Sequence, residues 1–169
     1  MQETHSKIFF SKTRVNPLDD SIKPVIITDN FSTPENIGHI IRLAANVGAL
    51  KVVVLGSENM RKSKIKKTAG TAIDHITVIF SDFEELHDHI PQNYTFTALE
   101  TAEGATNIFE TALPDRLALV LGNEKYGISG ELLKLCKVKV FIPMPGTVKS
   151  MNVTHAASVC LFEWLRQHS

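Results

Sequence analysis

The chain has 169 residues, enough for one domain with a substantial core, or for a domain with a short arm. Hydrophobic and charged shares of 43% and 21% are ordinary for a globular protein, and no apolar run approaches the roughly 20 residues of a bilayer span. The N-terminus lacks the long apolar core of a secretory signal, so a cytoplasmic protein is expected.

Zero net charge argues against a uniformly basic nucleic-acid binder, but the charges are unevenly placed. Residues 1–67 carry eleven basic and six acidic side chains, residues 68–135 three and eleven, and residues 136–169 four and one. Basic character at both ends of the sequence leaves RNA binding open without demanding it.

Residues 1–20 read as a helix or arm before the first strand. Val25–Thr28, Lys51–Leu55, Ile76–Phe80, Tyr94–Ala98, Leu117–Leu121 and Lys137–Ile142 all read as strands, and several are apolar on consecutive positions, as expected for strands covered on both faces. Pro34–Val47 predicts a helix. Ser32 and Thr33 are its N-cap candidates, its apolar stripe is Ile37, Ile40, Ile41, Ala44 and Ala45, and Gly48 ends it. Residues 82–90 and 129–136 predict shorter helices, and Asn152–Gln167 a last one burying Val153, Ala156, Ala157, Cys160 and Trp164. Strands alternating with helices give an α/β fold with a mostly parallel sheet, in one domain over residues 1–169.

Several chemistries have no motif here. Gly-x-Gly-x-x-Gly, the phosphate-binding P-loop, Gly-x-Ser-x-Gly, His-Glu-x-x-His and Cys-x-x-Cys are all missing from the sequence. No metal site is expected. Cys136 and Cys160 are too far apart for ligand spacing and read as small buried residues. His87 and His89, two residues apart, would point to different sides of a helix.

Three segments place polar residues where strands give way to helices, the usual ligand edge of such a sheet. The first is Asn36-Ile-Gly-His-Ile-Ile-Arg42, with Arg42 on the helix face of Glu35, Gly38, His39 and Asn46. The second is Leu121-Gly122-Asn123-Glu124-Lys125-Tyr126-Gly127, a polar turn bracketed by glycines. The third runs from Ile142 through Pro-Met-Pro-Gly146 to Ser150, Met151, Asn152 and His155, where Ser150 and Asn152 also suit helix capping. Each alone fits an ordinary helix face, a turn or a cap.

Together, Asn-x-Gly-x-x-x-Arg, Leu-Gly-Asn-Glu-x-x-Gly and Ile-Pro-Met-x-Gly-x-x-x-Ser-Met-Asn-Val resemble the three ordered motifs of the SpoU/TrmH RNA 2′-O-ribose methyltransferases. Met151 stands where that family usually has leucine, and Thr154 where serine is common. The resemblance implies a C-terminal deep trefoil knot and S-adenosylmethionine as cofactor, bound by Leu99, Gly122, Ile142 and Met151. It implies methyl transfer to a ribose 2′-hydroxyl. Arg42 would act as base or as stabiliser of the alkoxide, and Ser150 and Asn152 would orient ribose and phosphate. Asn36 and Glu124 would hold Arg42 and the loop in place. It also implies a homodimer completing the active site across its interface.

RNA would lie over a basic patch of Arg61, Lys62, Lys64, Lys66 and Lys67, with Lys12, Arg14 and Lys149 contributing. A solvated charge run explains that patch about as well. The sequence carries no added N-terminal RNA-binding domain of the sort many ribosomal RNA members carry, which favours transfer RNA as the expected substrate. Ribosomal RNA is the alternative, as is a non-catalytic RNA-binding factor on the same fold.

Overall fold

Residues 6–13, 15–56 and 60–168 are described by the computed structural model of the protein. The apolar runs form strands β1 (Val25–Asp29), β2 (Lys51–Leu55), β3 (Thr77–Ser81), β4 (Thr95–Leu99), β6 (Leu117–Leu121) and β7 (Val138–Phe141). Between β4 and β6 lies a further strand, β5 (Thr106–Asn107). Two residues without an apolar run give no sequence signal, which is why β5 was not expected. All the strand pairings are parallel, in the order β3-β2-β1-β6-β4-β7-β5.

Alternate residues of each central strand feed opposite layers. Ile26, Val52, Val54, Leu119 and Val140 pack with helices α2 (Pro34–Val47), α3 (Lys62–Ala69) and α6 (Val153–His168). Val25, Ile27, Val53, Ala98 and Val120 pack on the other face with α4 (Leu86–His89) and α5 (Gly130–Leu135) through Leu86 and Leu132. Both faces of the central strands β1 and β6 are covered, as their unbroken apolar runs required, whereas the edge strand β3 leaves Phe80 exposed.

Helix α2 matches its expected bounds, and Gly48 closes it in the left-handed region at φ 71°. The last helix begins and ends one residue later than expected. It buries Trp164, whose indole N–H donates to the Pro114 carbonyl at 2.9 Å. Phe162 on the same helix stays 55% exposed. The N-terminal segment contains a short exposed helix, α1 (Ser6–Lys12). The run 61–67, read only as a charge cluster, mostly belongs to α3, which anchors itself through Ile65 and Ala69.

Cys136 and Cys160 are free and buried, and burial pushes their thiols up to about 11 and about 12. They are packing residues, as expected. Among the described residues no helix is long and apolar enough to cross a membrane.

Candidate active site

The three motif segments meet at the carboxyl ends of β1, β6 and β4. Their junction is built around Glu124, in the turn after β6. One carboxylate oxygen accepts from the Ser32 backbone N–H and hydroxyl, both at 2.8 Å. The other accepts from the Thr33 N–H at 3.2 Å and from the Asn36 amide at 2.8 Å. Helix α2 is therefore capped from across the fold. Thr33 occupies the N-cap position but its side chain makes no capping bond. A carboxylate at that end also faces the positive pole of the helix dipole. Burial pushes the Glu124 carboxyl up, but the hydrogen bonds from Ser32 and Asn36 outweigh it and bring the group to about 2.

Asn36 passes the connection on. Its carbonyl oxygen accepts from the Asn152 amide at 3.2 Å. The Asn152 carbonyl oxygen in turn accepts the Thr154 N–H at 2.8 Å and its hydroxyl at 2.7 Å. Asn152 is thus the N-cap of α6 and a link to α2 at once. Ser150, the other capping candidate, makes no such bond and stands exposed in the loop before the helix.

The turn carrying Glu124 is stiff. Asn123 and Gly127 exchange backbone hydrogen bonds of 3.0 and 2.9 Å, and the Asn123 side chain accepts from the Lys125 and Tyr126 N–H groups. A Cβ on Gly122 would come within 2.3 Å of the Gly127 carbonyl carbon, so the turn's own backbone requires that glycine. Gly127, at φ 70°, would press a Cβ to 2.5 Å from a Glu100 carboxylate oxygen.

Beside this junction lie two adjoining cavities of about 170 and 330 Å³. Leu99, Glu100, Met151 and Ala156 line both of them. Ile142 lines the smaller and Gly122 the larger, so all four residues expected to bind the cofactor border one cleft. Ser150 and Lys149 line the smaller cavity, and the Lys149 ammonium donates to the Met144 carbonyl at 2.7 Å. Apolar walls with a few fixed polar groups and main-chain atoms suit an adenosine-type ligand.

Arg42 is not part of this junction. It lies six residues beyond Asn36, about 240° further round the helix. Gly38, four residues before it, faces α3, where a Cβ would come 2.5 Å from Thr68 Cβ. Arg42 follows on that side, exposed, with a guanidinium nitrogen 3.4 Å from where a Cβ on Gly70 would stand. Within one chain Asn36 and Glu124 hold each other, the Ser32–Thr33 loop and Asn152, and Arg42 is not among their partners.

The basic residues of α3 continue the Arg42 side. Arg61, Lys62, Lys64, Lys66 and Lys67 are all exposed. Lys64 pairs with Glu35 at 3.2 Å, and the Lys62 ammonium sits 5.1 Å from the Phe80 ring centre. Lys149 belongs to the cleft instead, and Lys12 to the exposed α1. Arg14 lies outside the described residues. Sequence reading missed Ser32 and Thr33 as donors and Glu100 as a cleft residue. The last had a usable signal, a carboxylate directly after a strand of a parallel sheet.

The model of the SpoU rRNA Methylase family matches residues 23–162, which contain the whole junction and cleft. The chain belongs to that family. It is 32% identical over 148 residues to a 23S rRNA (guanosine-2′-O-)-methyltransferase RlmB of Xylella fastidiosa, covering 86% of this chain and 59% of that protein. Among solved structures, the SpoU methyltransferase AviRb of Streptomyces viridochromogenes in complex with AdoMet superposes with a TM-score of 0.77. It is 25% identical, over 89% of this chain and 59% of the other. A structure described for the 2-OH methylation of C/U34 on tRNA gives 0.76 at 24% identity, over 86% and 95% of the two chains. The chain thus spans about three-fifths of the length of the curated relatives it matches.

Proposed function

We propose that this chain is an S-adenosylmethionine-dependent RNA 2′-O-ribose methyltransferase. The observation that carries the reading is the meeting of Glu124, Asn36 and Asn152 beside a cleft lined by Leu99, Gly122, Ile142 and Met151. Three motifs far apart in sequence converge there, at the ligand edge of the sheet, and capping the two helices does not by itself require a cleft beside them. The relatives' names, for a guanosine-2′-O-methyltransferase and for AdoMet-bound AviRb, support the same chemistry.

When bound, the cofactor supplies an electrophilic methyl group on a sulfonium. The work of the chain is then positional. Leu99, Ile142, Met151 and Ala156 provide apolar walls, and the stiff turn 122–127 fixes the main chain beside them. Ser150 and Asn152, at the rim, orient the ribose and its phosphate. A guanidinium holds its proton too firmly to be a good base. Arg42 therefore stabilises the developing alkoxide, and the hydroxyl proton passes to a neighbouring RNA phosphate or to solvent.

Since Arg42 points away from the junction of its own chain, the site is completed by a second copy in a homodimer. Exposed Phe109 and Phe162 offer apolar surface for association. The C-terminal segment takes the knotted path of the family. In support, β7 lies between β4 and β5, although it follows both in sequence, and residues 142–152 then lead back to the start of α2. The basic face of α3, beside Arg42, contacts RNA phosphates.

Calorimetry with S-adenosylmethionine and a tritiated-methyl assay on RNA test the activity. Absence of both cofactor binding and transfer would overturn it. Mixing Arg42→Ala with Asn152→Ala chains tests the shared site. Activity restored in the mixture supports completion across two copies, and none restored places the whole site in one chain. Mapping ribose methylations in RNA from cells with and without the protein separates transfer from ribosomal RNA. The curated relatives named for 23S rRNA and the structure named for tRNA leave both as arms of that experiment.

A further inference from the structure

The cleft contains a carboxylate that the proposed transfer step does not use. Glu100 follows directly on β4 and lines both cavities. Its rotamer is pinned. One oxygen accepts the Ile128 N–H at 3.1 Å, and the other accepts the Thr101 N–H at 2.9 Å. The Thr101 hydroxyl adds a longer hydrogen bond of 3.4 Å. These donors are all neutral, and none of the ion pairs among the described residues involves Glu100.

Other charged groups on the cleft are differently engaged. Glu124 is enclosed by four donors at the start of α2. The Lys149 ammonium is tied to the Met144 carbonyl, and Lys125 sits exposed on the turn. Glu100 is thus a half-buried negative charge, fixed in place and without a cationic partner, on the wall shared by both cavities.

We propose that Glu100 is a charge-selecting residue, favouring the cationic methyl donor over the neutral product. This rests on the methyltransferase reading above. Transfer forms a C–O bond to the ribose and breaks an S–C bond, whose electron pair stays on sulfur. The hydroxyl proton leaves to phosphate or solvent. The ligand in the cleft therefore changes from a sulfonium to a neutral thioether, losing one unit of positive charge. A fixed carboxylate in a partly desolvated cleft attracts the first and not the second, by on the order of tenfold in affinity. The consequence is weaker product inhibition, because attraction to Glu100 vanishes as the methyl departs.

The test is titration calorimetry on the full chain and on Glu100→Gln and Glu100→Asp. The probes are S-adenosylmethionine, S-adenosylhomocysteine and sinefungin, whose amine supplies a positive charge in place of the sulfonium. In Glu100→Gln both cationic ligands should weaken by about tenfold, while the thioether changes by less than about twofold. Glu100→Asp, which keeps the charge, should preserve the ratio of cationic to neutral affinity even if all three weaken. Equal loss of all three ligands in Glu100→Gln would overturn the proposal and leave Glu100 as a brace for the Gly127–Ile128 backbone. Unchanged affinities would overturn it too. If the unaltered chain binds none of the three, the cofactor reading itself fails, and that outcome is separable from the others.

Discussion

The two sides of helix α2 are built on opposite principles. Toward α6, the side chains of the motif residues Asn36, Glu124 and Asn152 bond to one another and to the starts of two helices, at 2.8–3.2 Å. Toward α3, Gly38 permits close packing, yet Arg42 and the lysines of α3 face outward, with Lys64 and Lys62 only lightly engaged. The first side is finished and rigid. The second is an exposed positive surface with few partners among the described residues. Under the proposed methyl transfer the two sides would divide the work: a cofactor is held by a preorganised wall, whereas a polyanionic substrate is drawn by exposed positive charge.

The largest effect should come from the open side. Arg42→Ala is expected to lower the methyl-transfer rate by about a hundredfold or more, while S-adenosylmethionine affinity moves by less than about twofold. Near-normal turnover in the tritiated-methyl assay would remove Arg42 from the mechanism and leave the comparison without its catalytic half. Next is the packing beneath that side. Gly38→Ala would drive a methyl to 2.5 Å from Thr68 Cβ and 2.9 Å from the Ile65 carbonyl. It should cost about 1–3 kcal/mol in urea unfolding, since backbone as well as side chain must move. An unchanged unfolding midpoint would show that α3 is not held tightly against α2.

The lysines sharpen the comparison further. Replacing Lys64, Lys66 and Lys67 with alanine should weaken RNA binding and reduce the salt slope by about 0.7–0.9 for each phosphate no longer neutralised. An unaltered slope would make the α3 face plain solvated surface. The smallest effect belongs to the finished side. Glu124 sits at about 2, below the ordinary 4.5, so its contribution to stability is full above about pH 4.5 and is lost as pH falls through about 2. Chemical unfolding of Glu124→Gln at pH 7, 4.5 and 3 should show a shallower loss on acidification than the unaltered chain. Parallel losses would mean that the carboxylate is not what secures α2.

What the sequence read correctly follows from repetition. The six apolar runs, helix α2 with its Gly48 stop and the last helix each repeat one preference over many residues. Short or mixed elements carried no such repetition. β5 is two residues long, and the lysines of α3 masked a helix whose anchors are Ile65 and Ala69. The motif positions were legible too, including all four cleft residues from Leu99 to Met151.

Sequence by itself determined the elements whose preference repeats over many residues, and it singled out the motif segments, because periodicity and local motifs are properties of neighbouring residues. Tertiary structure alone decided who bonds to whom. Thr33 looked like the cap of α2, but Glu124, far along the chain, supplies it. Hydrogen bonding and electrostatics act through distances of a few ångströms, and only the folded path fixes those between segments separated by some ninety residues or more.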